Sequence, residues 1–329
     1  MGARRPHRIK RVHGTMQAPE NAVQATRARP LAFAFALLLA AIATLPLHAV
    51  EMHAVELHAV ELHQARASPT DLEVTGLLRG VAAGERRWVR WEDIRRLPSR
   101  TIESDGEFLK GRQVLRVVLL EDLLARLPLA PGFDTVVAVC SDGYAAAFDA
   151  QFRQAWKPFI VVEINGTGPN AWPLPGMPSD PGPYIVSVSD AVTPGVSGLL
   201  DVPHKQPWGT TELHFVREAD AFRSLHEGDW RALSASAERG RTLWVNSCFS
   251  CHTGPADATG GTRSGRPFVV LQALARHAPD HFAAYVRNPR AFAPEARMTP
   301  HAHYTDAQMA DIIDFVIAKP AGAVPAPSP

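Results

Sequence analysis

The chain has 329 residues, a formal net charge of +1, and 46% hydrophobic and 20% charged residues. That length exceeds what one ordinary core needs, so two domains with tails are expected. The near-neutral charge, with no basic patch interleaved with aromatics, argues against a nucleic-acid partner.

Residues 1–30 are basic (Arg4, Arg5, Arg8, Lys10, Arg11, Arg27, Arg29), and the run from Leu31 to Leu47 carries no charge. Leu47-His48-Ala49 is a tolerable cleavage site. This order of basic, apolar and small residues predicts a signal peptide or an N-terminal anchor over 1–49. A retained run of about 17 apolar residues is at the short limit for a membrane span. Both outcomes place the remainder outside the cytoplasm, so a periplasmic protein is expected, tethered to the membrane if Leu31 to Leu47 is kept. A five-residue repeat follows, with His48, His53 and His58 each preceding Ala-Val-Glu. Period five matches neither a helix face nor a strand face, so its His and Glu would not converge on a metal. Residues 50–67 read as a spacer, partly disordered.

Residues 68–220 read as a mixed α+β domain. Strands are expected over 72–78, 135–140, 144–148, 159–164 and 184–188, from alternating or continuous apolar residues bounded by turn signals such as Ser141-Asp142-Gly143 and Asn165-Gly166. Two short helices, 91–97 and 120–127, show helical spacing and end at Pro98 and Pro128. The stretch 170–183 is rich in Pro and Gly and predicts a rigid surface loop. Residues 221–230 read as a linker, 231–320 as an all-α domain and 321–329 as a disordered Pro/Ala tail. In the all-α part, helices are expected over 235–246, 266–277, 280–286 and 306–318. Gly240 leaves room for a close helix neighbour, Met309, Ile312, Ile313 and Val316 supply an apolar face, and Thr305 is placed as an N-cap.

The chemistry concentrates at Cys248-Phe249-Ser250-Cys251-His252. C-x-x-C-H is the attachment signature of c-type haem: two thiols bond the porphyrin vinyl groups and the adjacent His becomes an axial iron ligand. Half of a zinc site is the competing reading, but it needs a second ligand pair, and the chain has only three cysteines. With Cys248 and Cys251 taken by haem, Cys140 has no partner, which excludes a disulfide framework. Cys140 itself reads as a small buried hydrophobe on an apolar strand.

Residues 231–320, with first and last helices suited to pack on each other, resemble class I c-type cytochromes. The resemblance implies that the Pro255 carbonyl accepts the His252 Nδ1 proton, orienting the ligand. It also implies that Met298, followed by Thr299-Pro300, is the opposite axial ligand of the haem iron. His301, His303 and an open site remain as alternatives. Phe292 and Ala291 are expected near the haem edge.

Residues 68–220 resemble the molybdopterin-binding domain of the sulfite-oxidase-like family through the order of their motifs: the Leu-Pro helices, Ser141-Asp142-Gly143-Tyr144, Phe159-Ile-Val-Val-Glu-Ile-Asn-Gly166 and Pro183-Tyr184-Ile185-Val186. That family carries its molybdenum-ligating Cys in the stretch corresponding to 101–113, where this chain has none. One covalent haem c and no molybdopterin are therefore expected. The expected function is a monohaem electron carrier for a redox partner protein, an oxidoreductase or a terminal oxidase, with the first domain as a docking or ligand-binding module and no catalytic residues of its own. The alternatives are a molybdopterin-dependent oxidoreductase feeding its own haem, and a haem sensor with the first domain as transducer.

Overall fold

In the computed structural model, residues 59–318 are described, apart from 105–108, 110, 178, 200–201, 227–232 and 256–259. The expectations for 1–49, for the repeat up to residue 58 and for the tail lie outside the described residues. No described helix is long and apolar enough to cross a membrane.

The first half builds one mixed sheet. In chain order its elements are β1 (Leu72–Gly76), β2 (Arg87–Val89), α1 (Trp91–Arg96), β3 (Ser99–Ser104), β4 (Gln113–Leu119), α2 (Leu120–Leu124), β5 (Thr135–Cys140), β6 (Ala145–Phe148), α3 (Ala150–Trp156), β7 (Phe159–Ile164), β8 (Tyr184–Ser187) and β9 (Trp208–Val216). The strands run β2-β1-β9-β8-β7-β4-β3, with β5 branching from β9 and β6 pairing with β5. Only β1 and β9 pair in parallel among these; the other pairs are antiparallel. The apolar runs of β6, β7 and β8 are buried along their whole length, as expected of strands covered on both faces. α1 has Glu92 and Asp93 in its first turn and Arg95 and Arg96 in its last, matching the helix dipole.

Several features differ from the sequence expectations. β9, which joins β1, β5 and β8, was not expected, because Trp-Gly-Thr-Thr-Glu-Leu-His-Phe-Val mixes polar and apolar residues without a clean alternation. The end of the spacer is part of the fold: Val60 is buried and donates its N–H to the Arg126 carbonyl at 3.1 Å, and His63 exchanges two backbone bonds of 2.9 Å with Trp88. The expected linker opens on the last residue of one short helix, α4 (Glu218–Ala221), and continues into another, α5 (Arg223–His226). Phe222 and Leu225 are fully buried there, so this stretch is packed.

The second half is helical: α6 (Ala235–Asn246), α7 (Phe268–His277), α8 (Pro279–Arg287) and α9 (Asp306–Ala318). α6 crosses α9 at Gly240, where a Cβ would overlap the Asp311 carbonyl oxygen. Arg239 grips the Asp311 carboxylate with two bonds of 2.8 and 2.7 Å, and Ser236 donates to it at 2.6 Å. α9 opens with a capping box: Thr305 Oγ1 accepts the Gln308 N–H at 3.2 Å, and Gln308 Oε1 accepts the Thr305 N–H at 2.9 Å.

The two halves share buried surface. Val137, Ala145, Ala147 and Val216 of the sheet belong to the same apolar cluster as Phe222, Trp244, Phe249 and Phe315. The Gly143 carbonyl accepts the Thr262 N–H at 2.7 Å, and Arg263 pairs with Asp142 at 3.3 Å.

Candidate functional site

α6 ends at Asn246, and a 3-10 turn, Cys248–Ser250, follows. The Cys248 carbonyl accepts from both the Cys251 N–H (3.2 Å) and the His252 N–H (2.9 Å). This tight winding places Cys248, Cys251 and His252 on the wall of one cavity of about 590 Å³. Gly261 is required beside the turn, since a Cβ there would overlap the Ser250 carbonyl oxygen. Leu271 and Leu274 of α7, Phe282 and Val286 of α8, and Met298 from the segment before α9 complete the apolar wall.

Cys248, Cys251, His252 and Met298 thus meet in one cavity, although Met298 lies 46 positions beyond His252 in the chain. Pro255 behaves differently from its expected role. It is buried, but His252 Nδ1 has no hydrogen-bond partner among the described residues, so the expected bond to the Pro255 carbonyl is not made. Burial pushes the pKa of the His252 ring down to about 4. Of the two competing histidines, His301 is buried and lines the cavity, whereas His303 is exposed and does not. Phe292 stands at the cavity, half-exposed, edge-on to His281 at 4.9 Å; Ala293 rather than Ala291 lines the wall beside it.

Three further residues were not anticipated. His204, from a turn of the sheet half spanning Val202–Lys205, lines the same cavity and is buried. Its ring stacks on His301, with centroids 4.9 Å apart and planes 14° apart. Arg263 and Arg266 lie on the cavity wall beside the turn. Nothing in Pro203-His204-Lys205-Gln206-Pro207 signals a cavity residue, because its neighbourhood is created only by the sheet meeting the helices. Burial lowers the pKa of His204 to about 4 and that of His301 to about 3, so both rings are neutral at physiological pH.

The donor set suits a haem. Two thiols stand one turn apart, a buried neutral imidazole follows, a thioether faces the same apolar space, and Arg263, Arg266 and Arg297 supply cations for carboxylates. His252 Nδ1 and Trp244 Nε1 are both buried without a partner among the described residues, and both residues line the cavity.

Residues 237–317 match the cytochrome c family. This cytochrome c domain implies covalently bound haem c and electron transfer. No curated protein matches the chain. Among solved structures, the sulfane dehydrogenase SoxCD from Paracoccus pantotrophus is similar at 14% identity and a TM-score of 0.31, over 47% of this chain. The match spans 40% of that protein's chain.

A second cavity, also about 590 Å³, lies in the sheet half. Ile102, Glu103, Ser104, Leu109 and Arg112 line it, all from the stretch 101–113. No cysteine lines it among the described residues. Cys140 lines neither cavity: it is buried on β5, 3.8 Å from Thr210 Oγ1, and burial pushes its thiol up to about 12. A thiol held protonated in this way is a poor metal ligand at neutral pH. Val202 and Gln206 line the second cavity while His204, between them in sequence, lines the first.

Proposed function

We propose that this protein is an exported, periplasmic monohaem electron carrier, in which the sheet half is a docking or ligand-binding module related to the sulfite-oxidase-like molybdopterin domain. The observation that carries the reading is the convergence of Cys248, Cys251, His252 and Met298 on one apolar cavity. When bound, haem c takes up and releases single electrons. Cys248 and Cys251 would tether it, and His252 and Met298 would ligate its iron. The apolar side chains of α7 and α8 exclude water, which favours the less charged ferrous state. A thioether ligand acts in the same direction and suits a carrier for an oxidoreductase or terminal oxidase. The half-exposed Phe292 marks a place where the cavity meets the surface and a partner can approach.

A second reading is favoured by one observation: the second cavity lies beside 101–113, where the sulfite-oxidase-like resemblance puts its cofactor, and the segment 202–206 contributes residues to both it and the haem cavity. In that reading the protein would be a molybdopterin-dependent oxidoreductase, with the haem of the helical half as its electron acceptor. Metal analysis with a redox titration of the purified holoprotein decides between them. The carrier reading expects haem iron, a reversible one-electron wave and no molybdenum. A content of one molybdenum per haem overturns it.

A further inference from the structure

We propose that His204, a residue of the sheet half, is a positioning residue that clamps the Met298-bearing segment against the haem cavity. The proposal rests on the reading that Met298 faces His252 as the second axial ligand. Met298 is followed three residues later by His301, whose ring stacks on two others: His204 at 4.9 Å and 14°, and Tyr304 at 5.3 Å and 4°. Ser247 Oγ lies 3.4 Å from His301 Nδ1, and the His301 N–H donates to the Val286 carbonyl at 3.1 Å. Within this set, His204 supplies the contact that comes from the sheet.

His204 is itself held firmly. Its carbonyl accepts from Tyr144 Oη at 3.0 Å and from Ser250 Oγ at 3.3 Å. The next residue, Lys205, is buried and donates to the Ala147 carbonyl at 2.5 Å, with its ammonium over the Phe152 ring at 5.3 Å. The chain therefore spends a built, buried turn of the sheet half on presenting one imidazole face to His301. A bare structural filler would not need a ring plane within 14° of its neighbour. The stack keeps the segment 298–304 closed, and with it the side of the cavity where Met298 lies. An aromatic pair of this kind shifts an opening equilibrium roughly three- to tenfold.

An outside ligand can reach the iron only when the protein's own sixth ligand leaves, so cyanide binding to the ferric holoprotein reads the opening directly. His204→Ala and His204→Leu are expected to bind cyanide roughly three to ten times faster than wild type. Both should lower the midpoint potential and weaken the near-infrared sulfur-to-iron band. His204→Phe, which keeps a ring plane, is expected to stay near wild type in all three. The leucine variant fills the lost volume, so it judges the clamp even if the alanine variant does not fold. The proposal is overturned if the variants bind cyanide at the wild-type rate, or if the phenylalanine variant is as fast as the leucine variant. Lower thermal stability with unchanged cyanide rate and potential also overturns it, because that is the mark of a structural role alone. If wild type lacks the sulfur-to-iron band, the Met298 reading fails and the clamp falls with it; a band present in wild type with unchanged cyanide rates in the variants overturns the clamp alone.

Discussion

At the scale of single residues, the axial assignment and the α6–α9 contact are the most exposed to test. Met298→Ala should abolish the weak near-infrared sulfur-to-iron band of the ferric holoprotein and lower its midpoint potential, because a thioether favours ferrous iron. A band that persists in the variant assigns it to another side chain. Asp311 offers a pH test. Hydrogen bonding from Arg239 holds its carboxyl below the usual carboxylate range. The folded state thus binds a proton less readily than the unfolded chain, so this contribution is complete above the ordinary value of 3.8 and is lost as the pH falls through the lowered folded value. Because the Arg239 side chain is largely exposed, solvent screens the pair and its contribution is small. Asp311→Asn should lower stability at neutral pH and flatten the acid limb of a stability profile followed by denaturant titration. Gly240→Ala meets backbone rather than a flexible side chain, so the helices must shift, at a cost of about 1–3 kcal/mol.

At the scale of elements, α9 depends on its first turn. Thr305→Ala removes half of the capping box and should cost about 1 kcal/mol, with faster amide exchange confined to the first turn of α9. The same helix shows which patterns are readable in a sequence. α6 and α9 were expected with the bounds they have, because each has a capping residue ahead of it, apolar residues at helical spacing and nothing interrupting them. β5 and β7 were equally plain as continuous apolar runs. β9 was not, since its burial follows from three different partners along nine residues, and a strand serving several neighbours need not alternate. α3 was missed for a related reason. It has seven residues, and its main signal is the Asp149 side chain accepting the Phe152 N–H at 2.7 Å.

At the scale of the whole molecule, the shared apolar cluster makes the two halves thermodynamically dependent. Phe222 packs edge-on against Phe249 at 5.1 Å, one position after Cys248, and both are fully buried. Phe222→Ala should cost about 3–5 kcal/mol. The loss should appear together in haem absorbance, which reports the helices, and in far-ultraviolet dichroism, which also reports the sheet. Separate transitions for the two signals in wild type would show that the halves unfold independently.

The sequence by itself determined the local chemistry: the thiol pair and imidazole of Cys248–His252, the helices that flank them, the apolar strands of the sheet and the absence of a cysteine from 101–113. Each of these is written in neighbouring residues or in a period of the chain. It also singled out Met298 through a family pattern. Only the tertiary structure decided what surrounds that pattern. His301 and not His303 reaches the cavity, His252 Nδ1 has no bond to Pro255, and His204 arrives from the sheet to stack on His301. These depend on which segments distant in sequence are pressed together, and that is set by the shared core rather than by any local run of residues.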